Sequence, residues 1–290
     1  MTLNEVDVPE LHALGFGKSL VLAASPRPRF SLVRASERGT QVDLPAGWSS
    51  AWIALRGRVN VYSARQSWEL SAGSLLTWQD GALRLAAHSP AWYVGIAAPT
   101  TLWTSRVRAL VDGAGSGTLY TRTVPVPREV RRLIVRLFRR CRQRGSDAAM
   151  PLGALLAALQ ESQSDLAVRL QRCSGRTRLR QEQCLHRLLR VHNTIEHAHG
   201  MRVGLEALAE VARYSPTHLI RVYREVFGES PAEHAMRLRV DHSWRLVTDT
   251  RLTIGDISEA IGFESKSAFC RSFKARFGRT TSEVRQAVAS

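Results

Sequence analysis

Residues 262–278 read GFESKSAFCRSFKARFG, and this stretch decides how the C-terminal part of the chain folds. Its aromatic residues Phe269, Phe273 and Phe277 recur at every fourth position, so in an α-helix they share one face. Lysines and arginines lie between them. The pattern predicts a helix with a buried aromatic face and a basic face that is open to an acidic partner.

The same pattern occurs a second time, earlier in the chain. In chain order, Leu205, Leu208, Glu210, Ser215, Arg221, Phe227 and Gly228 correspond to Ile254, Ile257, Glu259, Ser265, Arg271, Phe277 and Gly278. An internal repeat indicates that one structural unit is used twice. Each copy predicts a short helix, a tight turn and a longer helix, over residues 205–227 and 254–277. This is the helix-turn-helix arrangement, whose second helix enters the major groove of DNA.

The face of each longer helix that turns away from the aromatic residues supplies the candidate DNA contacts. These are Ser215, Thr217, Ile220, Arg221 and Arg224 in the first copy, and Lys266, Ser267, Cys270, Arg271 and Lys274 in the second. Arg221 and Arg271 suit base reading, because a guanidinium forms bidentate hydrogen bonds with a guanine edge. Arg224 and Lys274, one turn later, suit phosphate contacts. Any one of these cations alone could equally be a solvated surface charge, and the repetition of the arginine favours a DNA contact.

The turns and the connection between the copies define the expected geometry. Gly262 lies in the second turn, where a positive φ is expected, and Arg213 at the equivalent position of the first turn predicts either mild strain or a differently shaped turn. Residues 231–249 predict one connecting helix, about 28 Å long at 1.5 Å per residue. A connector of that length would hold the two recognition helices near the roughly 34 Å that separates successive major-groove faces.

Residues 181–290 resemble the DNA-binding domain of the AraC/XylS transcription regulators. The matching residues are Ile257, Ala260, Gly262, Phe263, Phe269, Phe273, Phe277 and Gly278. The chain departs from the family where Ala268 replaces a usual aromatic residue, and where Thr281 and Val284 replace a common Pro and Tyr. The resemblance implies a sequence-specific regulator of transcription, commonly an activator that works with RNA polymerase.

Residues 16–103 have the pattern of a strand-rich domain. Short runs such as AWIALRGRVNVY (51–62) and SWELSAGSLLTW (67–78) lie between Gly, Pro and Ser residues, which predicts a small β-barrel or sandwich. Residues 44–78 also resemble the cupin pattern, and the resemblance implies a cupin-like effector or regulatory domain over residues 1–120. Metal-binding cupins place a histidine pair in this region, whereas this chain has GWSSAW (47–52). We therefore expect no catalytic residue, no metal and no cofactor.

Tryptophans are frequent in the strand-rich part. They either line an effector pocket or form an ordinary core, and no ligand-binding residue is assigned: Trp48, Trp52, Trp78, Trp92 and Trp103. A small-molecule effector is a possible partner of this domain.

Residues 121–172 predict a helical dimerisation segment. In REVRRLIVRLFRRCRQR (128–144) the apolar residues form one stripe, and a leucine-rich helix is expected over 151–170. We expect these helices to pair between chains in a homodimer. The arginines of residues 128–144 form either a solvated face or a surface for a polyanion. Residues 173–180 lack an apolar period and predict a linker before the DNA-binding domain at 181–290.

Charge and cysteine usage indicate the class of partner and the compartment. The formal net charge is +16 and the sequence pI is about 11.0, so nucleic acid is the first expected partner and an anionic membrane the second. The four cysteines lie far apart, so the sequence suggests neither a zinc module nor a disulfide framework. Glu5, Asp7 and Glu10 stand where an export signal would be positive, and no apolar run is long enough to span a membrane. We expect a cytoplasmic protein without membrane contact.

The sequence therefore predicts an α+β multidomain protein with an N-terminal cupin-like β-barrel, following helices and an all-α DNA-binding domain. Its predicted function is sequence-specific DNA-binding regulation of transcription, not catalysis. Two alternatives stay open. One is a cupin-type enzyme with an accessory basic helical tail. The other is a non-specific nucleic-acid or membrane-surface binder that uses the arginine-rich helix.

Overall fold

The computed structural model describes residues 9–64, 66–110, 117–142, 149–198 and 201–289. The chain forms two compact units, Met1–Val168 and Arg169–Ser290. The finer domain limits expected at residues 120, 172 and 180 stay predictions. Glu5 and Asp7, whose charge argues against an export signal, lie outside the described residues.

The strands of the first unit form two sheets. The described residues contain β1 (Glu10–Leu14), β2 (Ser19–Val21), β3 (Ser31–Ser36), β4 (Gln41–Leu44), β5 (Trp48–Arg56), β6 (Arg58–Ser63), β7 (Ser67–Ser71), β8 (Ser74–Trp78), β9 (Leu83–Ala86), β10 (Trp92–Pro99) and β11 (Arg122–Pro125). One sheet has the order β1-β3-β10-β5-β8-β11 and the other the order β2-β4-β9-β6-β7. Within the described residues the edge strands of one sheet do not pair with those of the other. The strand-rich fold is thus confirmed, whereas a single closed barrel is not observed.

Burial along β5 shows how the sheets and helices share the core. Trp52 and Ala54 join a cluster that includes side chains of both sheets. Ala51 and Ile53 point to the opposite face and join a cluster with the helices that follow. Alternation of this kind follows from the two-residue period of a strand. Both faces of β5 are covered, and the strand is accordingly buried from Trp48 to Ala54.

Most of the tryptophans weighed as pocket residues are core residues. Trp48, Trp52 and Trp78 are buried in the cluster shared by the two sheets, and Trp103 is buried in the other cluster. Trp92 differs, because 45% of its surface is exposed. The ordinary-core alternative therefore describes four of the five.

Three helices cover the outer face of the six-stranded sheet: α1 (Thr100–Leu110), α2 (Arg128–Arg142) and α3 (Ala149–Glu161). The predicted apolar stripe of α2 is present, and Leu133, Ile134 and Leu137 are buried in one cluster with residues of this sheet and of α3. The stripe is thus used inside its own unit. That this segment joins two chains in a dimer stays a prediction, although the stripe itself is already covered within its own unit.

The leucine-rich segment expected as one helix over 151–170 is two helices, α3 and α4 (Ser164–Gln171). Gln163, buried at the break, explains the interruption. Its side-chain oxygen accepts a hydrogen bond from the Tyr120 amide at 3.0 Å, and its side-chain nitrogen donates to the Tyr120 carbonyl at 2.8 Å and to Thr77 Oγ1 at 2.9 Å. These three bonds fix the Gln163 side chain to Tyr120 and to Thr77 of β8.

The second unit is helical. After α4, which contains the unit boundary, the described residues form α5 (Arg178–His197), α6 (Leu205–Ala212), α7 (Pro216–Phe227), α8 (Pro231–Asp249), α9 (Ile254–Ala260), α10 (Lys266–Phe277) and α11 (Thr281–Ala289). The central helix, α8, packs against α5 and α7 and also against α9, α10 and α11. It spans residues 231–249, as predicted.

Two ends of the second unit differ from expectation. The helix after the predicted linker begins at Arg178, because the Thr177 hydroxyl caps it by accepting from the Arg180 amide at 3.3 Å. At the other end, α11 forms although the family's Pro and Tyr are replaced. Thr280 and Glu283 cap it reciprocally, and Val284 is buried in the core.

We also compared the helices with the length and hydropathy that a bilayer requires. Among the described residues, no helix is both long and apolar enough to cross a membrane.

Candidate nucleic-acid interface

The two copies of the repeat form two helix-turn-helix units, α6–α7 and α9–α10. The helices begin at Leu205 and Ile254 and end at Phe227 and Phe277, the residues at which the sequence pattern begins and ends. We call them the first and second helix-turn-helix units, and α7 and α10 their recognition helices.

Matching caps fix both ends of each recognition helix. At the N-termini, Ser215 Oγ accepts from the His218 amide at 3.3 Å, and Ser265 Oγ accepts from the Ala268 amide at 3.2 Å. A serine at this position satisfies one of the free amides of the first turn. At the C-termini, Gly228 and Gly278 take the left-handed conformation that ends a helix without steric cost. Ser215, predicted as a DNA contact, is engaged as a cap.

The turn between the helices takes the same backbone conformation in both units. Arg213 has φ 54° and ψ 49°, and Gly262 at the equivalent position has φ 72°. The positive φ expected for Gly262 is confirmed. The left-handed region is unfavourable for a residue with a Cβ, so the strain expected at Arg213 is present too.

The aromatic faces of the recognition helices are buried. Leu219 and Tyr223 of α7, and Phe269 and Phe273 of α10, are fully inaccessible. The Phe273 ring is stacked on the Trp244 ring of α8, with centroids 5.8 Å apart and planes 3° apart. These contacts fix the rotation of each recognition helix about its own axis, and so determine which residues face outward.

Three equivalent pairs of residues form the outward face. They are Thr217 and Ser267, Arg221 and Arg271, and Arg224 and Lys274, all exposed. At 100° per residue, the three positions of each helix lie within one narrow stripe. Lys266, at the first turn of α10, is exposed beside it. The predicted face is therefore present on both recognition helices.

Two of the predicted contacts lie at the edge of the core rather than on this face. Ile220 is half-buried. Cys270 is also half-buried, packs against the apolar cluster of the second unit, and lies 4.0 Å from the Thr281 hydroxyl. The helical pattern placed both next to outward positions, and at Cys270 the start of α11 lies against the side chain.

The cations of the two recognition helices differ in their partners. Arg221 donates to Glu225 at 2.8 Å, and Arg224 donates to Glu233 at 3.0 Å. By contrast, the side chains of Arg271 and Lys274 make no hydrogen bond or ion pair within the described part of the chain. The sequence reasoning missed Glu225 and Glu233, although the four-residue spacing from Arg221 to Glu225 is a recognised signal for a helical ion pair.

Glu233 also belongs to a capping box at the start of α8. It accepts from the Ser230 amide at 2.6 Å, while its own amide donates to Ser230 Oγ at 3.3 Å. These bonds, together with the bond from Arg224, lower the pKa of Glu233 to about 2. Arg224 therefore lies against a carboxylate that stays ionised over the whole physiological range.

The Gly262 carbonyl, in the turn of the second helix-turn-helix unit, accepts hydrogen bonds from two arginines elsewhere in the fold. Arg202, in the segment before α6, donates to it from Nε at 2.8 Å, and Arg239 of α8 donates from Nη1 at 3.1 Å. Arg239 is 8% exposed, and burial lowers the pKa of its guanidinium. The turn of the second helix-turn-helix unit is thus hydrogen-bonded both to α8 and to the segment that precedes the first helix-turn-helix unit.

Comparison with known proteins identifies this region. Residues 208–287 match the family model described as a helix-turn-helix domain. The second unit contains an AraC-type helix-turn-helix domain.

Two curated relatives match the AraC-type domain and the residues next to it. The MmsAB operon regulatory protein of Pseudomonas aeruginosa is 28% identical over 93 residues, which are 32% of this chain and 30% of that protein. The HTH-type transcriptional regulator GlxA of Rhizobium meliloti is 33% identical over 99 residues, 34% of this chain and 31% of that protein. The match therefore spans about a third of each relative's own length.

A solved structure is similar over the same part of the chain. The crystal structure of a probable AraC family transcriptional regulator from Rhodopseudomonas palustris is 25% identical, and the match covers 35% of this chain and 96% of that one with a TM-score of 0.34.

Proposed function

We propose that the chain is a sequence-specific DNA-binding regulator of transcription, whose AraC-type domain reads two adjacent major-groove faces. The observation that carries this proposal is the outward face shared by both recognition helices. It repeats a hydroxyl, an arginine and a second cation in equivalent positions on two helices with matching caps. The net charge of +16 gives the chain the sign that phosphates attract.

The residues of the shared face take different roles in this proposal. Arg221 and Arg271 lie in the middle of the recognition helices, and we assign them to base edges. Arg224, Lys274 and Lys266 flank them, and we assign these to phosphates. The hydroxyls of Thr217 and Ser267 are placed beside the arginines, where they supply further hydrogen bonds. Ile220 and Cys270, half-buried, contribute at most apolar contact at the margin.

We propose that the first compact unit, Met1–Val168, is a cupin-like domain that binds a small-molecule effector. A cavity of about 430 Å³ supports this, since its volume lies in the range of small-ligand sites and Arg27, Arg29 and Trp48 are in its lining. The two arginines outnumber the one carboxylate in the lining, that of Glu10, which favours an anionic effector with an apolar body. Thermal melting of the full chain with a panel of small carboxylates would show the binding, and a variant Arg29→Gln that responds equally would reject this cavity.

Activation of transcription through RNA polymerase is part of the proposal, as the family resemblance implies. A homodimer is also proposed, but it has to use a surface other than the buried stripe of α2. Sedimentation of the full chain at micromolar concentration tests this. If the chain sediments as a monomer, the proposed dimer is rejected. One chain with its two helix-turn-helix units would then occupy the operator alone.

The enzyme alternative has less support. Among the described residues of the first unit, no three His, Cys, Asp or Glu side chains lie close enough together to hold a metal ion. His88, a histidine of the strand-rich part, is hydrogen-bonded to the Tyr62 hydroxyl at 2.8 Å.

The deciding experiment is a genome-wide map of the DNA bound by the full chain, followed by gel-shift titration of the recovered sites against scrambled duplexes. We expect a shared sequence motif and binding to it at least about a thousandfold tighter than to scrambled DNA. Equal affinity for both duplexes, or equal affinity for anionic vesicles, would instead support the non-specific binder.

A further inference from the structure

Three potential metal ligands converge where α5 packs against α8. His192 and Glu196 lie one turn apart on the same face of α5, and His234 lies in the first turns of α8. One ligand atom from each residue lies within 4.8 Å of the other two. Sequence reasoning found no sign of a zinc module in the cysteine spacing, and it missed this cluster because His234 is remote in sequence from the other two residues.

The position of His234 is fixed on both sides of its ring. The side chain is completely buried. Its Nδ1 lies 2.7 Å from the Tyr223 hydroxyl, and its Nε2 lies 3.2 Å from Glu196 Oε1. The His192 ring lies beside it, with centroids 4.6 Å apart. Tyr223 therefore orients the imidazole so that Nε2 faces the other two ligands, as an outer hydrogen bond does in known metal sites.

The donor set selects the class of cation. Two imidazole nitrogens and one carboxylate oxygen suit Zn²⁺ and similar transition metals, whereas Ca²⁺ and Mg²⁺ require oxygen ligands. Three protein ligands leave one tetrahedral position for water. The neighbouring cation Arg237 is paired with Glu229 at 2.8 Å and with Asp241 at 3.8 Å, and it also attracts the Glu196 carboxylate electrostatically.

We propose that His192, Glu196 and His234 form a binding site for a divalent transition metal ion, with Zn²⁺ as the best match. The ion replaces the direct bond between His234 Nε2 and Glu196, and joins α5 to α8 through three ligand bonds. Tyr223 extends this connection to α7, because the residue that orients His234 belongs to the first recognition helix. Metal occupancy then stabilises the first helix-turn-helix unit, since a ligand that binds only the folded state raises its stability.

The test is titration of the chelator-treated full chain with ZnCl₂ in an isothermal calorimeter. We expect one ion per chain and a rise in the melting temperature of the compact unit Arg169–Ser290. The variant His192→Ala should bind Zn²⁺ at least about tenfold more weakly. His242→Ala is the matched control, because His242 is an exposed histidine of α8 outside the cluster, and it should bind as the wild type does.

Two further measurements keep the result interpretable. Circular dichroism of His192→Ala tests its folding, and Glu196→Gln supplies a second variant that keeps both histidines and should also bind Zn²⁺ at least about tenfold more weakly. Titration with Co²⁺ tests for thiolate ligands, because Cys173 and Cys184 are buried in the same unit. A thiolate-to-cobalt band, unchanged affinity in both variants or absence of binding would each overturn the proposal. None of these measurements uses DNA, so their failure leaves the proposed function untouched.

Discussion

Arg221 and Glu225 form an ion pair of 2.8 Å on the exposed face of α7. The equivalent arginine of α10, Arg271, makes no such bond within the part of the chain that the structure describes. The two recognition helices therefore present the same residues with different electrostatics. In the proposed complex with DNA, Arg271 of the second helix-turn-helix unit would reach a base edge directly, whereas Arg221 of the first would have to exchange Glu225 for it.

Replacing Arg271 by alanine should weaken binding to the specific operator by about 1–3 kcal/mol and relax the preference at one base pair. The reason is the loss of a bidentate contact that no other described residue replaces. Gel-shift titration against single-base variants of the site measures both effects. Arg276→Ala is the matched control, because Arg276 lies on the same helix but is paired with Asp241 at 2.7 Å. Equal loss in both variants would contradict the assignment of Arg271.

Replacing Glu225 by glutamine should strengthen DNA binding by up to about 1 kcal/mol, the usual upper limit of an exposed ion pair. The change frees Arg221 and removes a negative charge from the DNA-facing side of α7. Fluorescence anisotropy with a labelled operator measures the gain. Glu259→Gln, an exposed acid of α9, removes the same charge without freeing an arginine. A gain of the same size there would show that net charge alone is responsible.

Replacing Lys274 by alanine should lower affinity for every DNA sequence alike. A phosphate contact contributes through counterion release, so the slope of log affinity against log salt should fall by about 1. Titrations of operator and scrambled duplex at several salt concentrations separate this from base reading. A loss restricted to the operator would move Lys274 to the base-reading set.

The compact unit Arg169–Ser290 should become less stable in acid as the Glu233 carboxylate becomes protonated. Its pKa lies at about 2 in the folded chain, below the ordinary value of 4.5. A depressed carboxyl pKa contributes stability above the unfolded pKa, and this contribution is lost as the pH falls through the folded value. Urea unfolding between pH 5 and pH 2 should therefore be less pH-dependent in Glu233→Gln than in the wild type. The same acid slope in both proteins would show that Glu233 is not responsible.

Much of the fold of the compact unit Arg169–Ser290 can be predicted from local sequence signals. The capping serines, the prolines at first helical positions and the terminal glycines set the helix boundaries, and Phe269, Phe273 and Phe277 define the core face. These signals act within one or two turns, so a sequence is sufficient to locate them. The pairing of Arg221 with Glu225 obeys an equally local rule.

The remaining features depend on residues that are distant in sequence. The apolar stripe of α2 was recognised correctly, yet periodicity does not tell whether the partner is a second chain or the sheet of the same unit. The break at Gln163 depends on Tyr120 and Thr77, and the separation into two sheets depends on strand pairing. Cys270 was placed on the DNA face because the helical angle alone does not show that α11 covers it.

The carbonyl of Gly262, held by Arg202 and Arg239, links the second helix-turn-helix unit to the central helix and to the segment before the first helix-turn-helix unit. Because that carbonyl accepts from the segment before α6 and from α8, the two bonds restrain rotation of the second helix-turn-helix unit relative to both. If the proposed function holds, we expect the operator to present its half-sites with one fixed helical phase. One base pair inserted between them turns the second half-site by about 34°, and we expect affinity to fall to that of a single half-site, whereas a chain with independent units would follow the insertion.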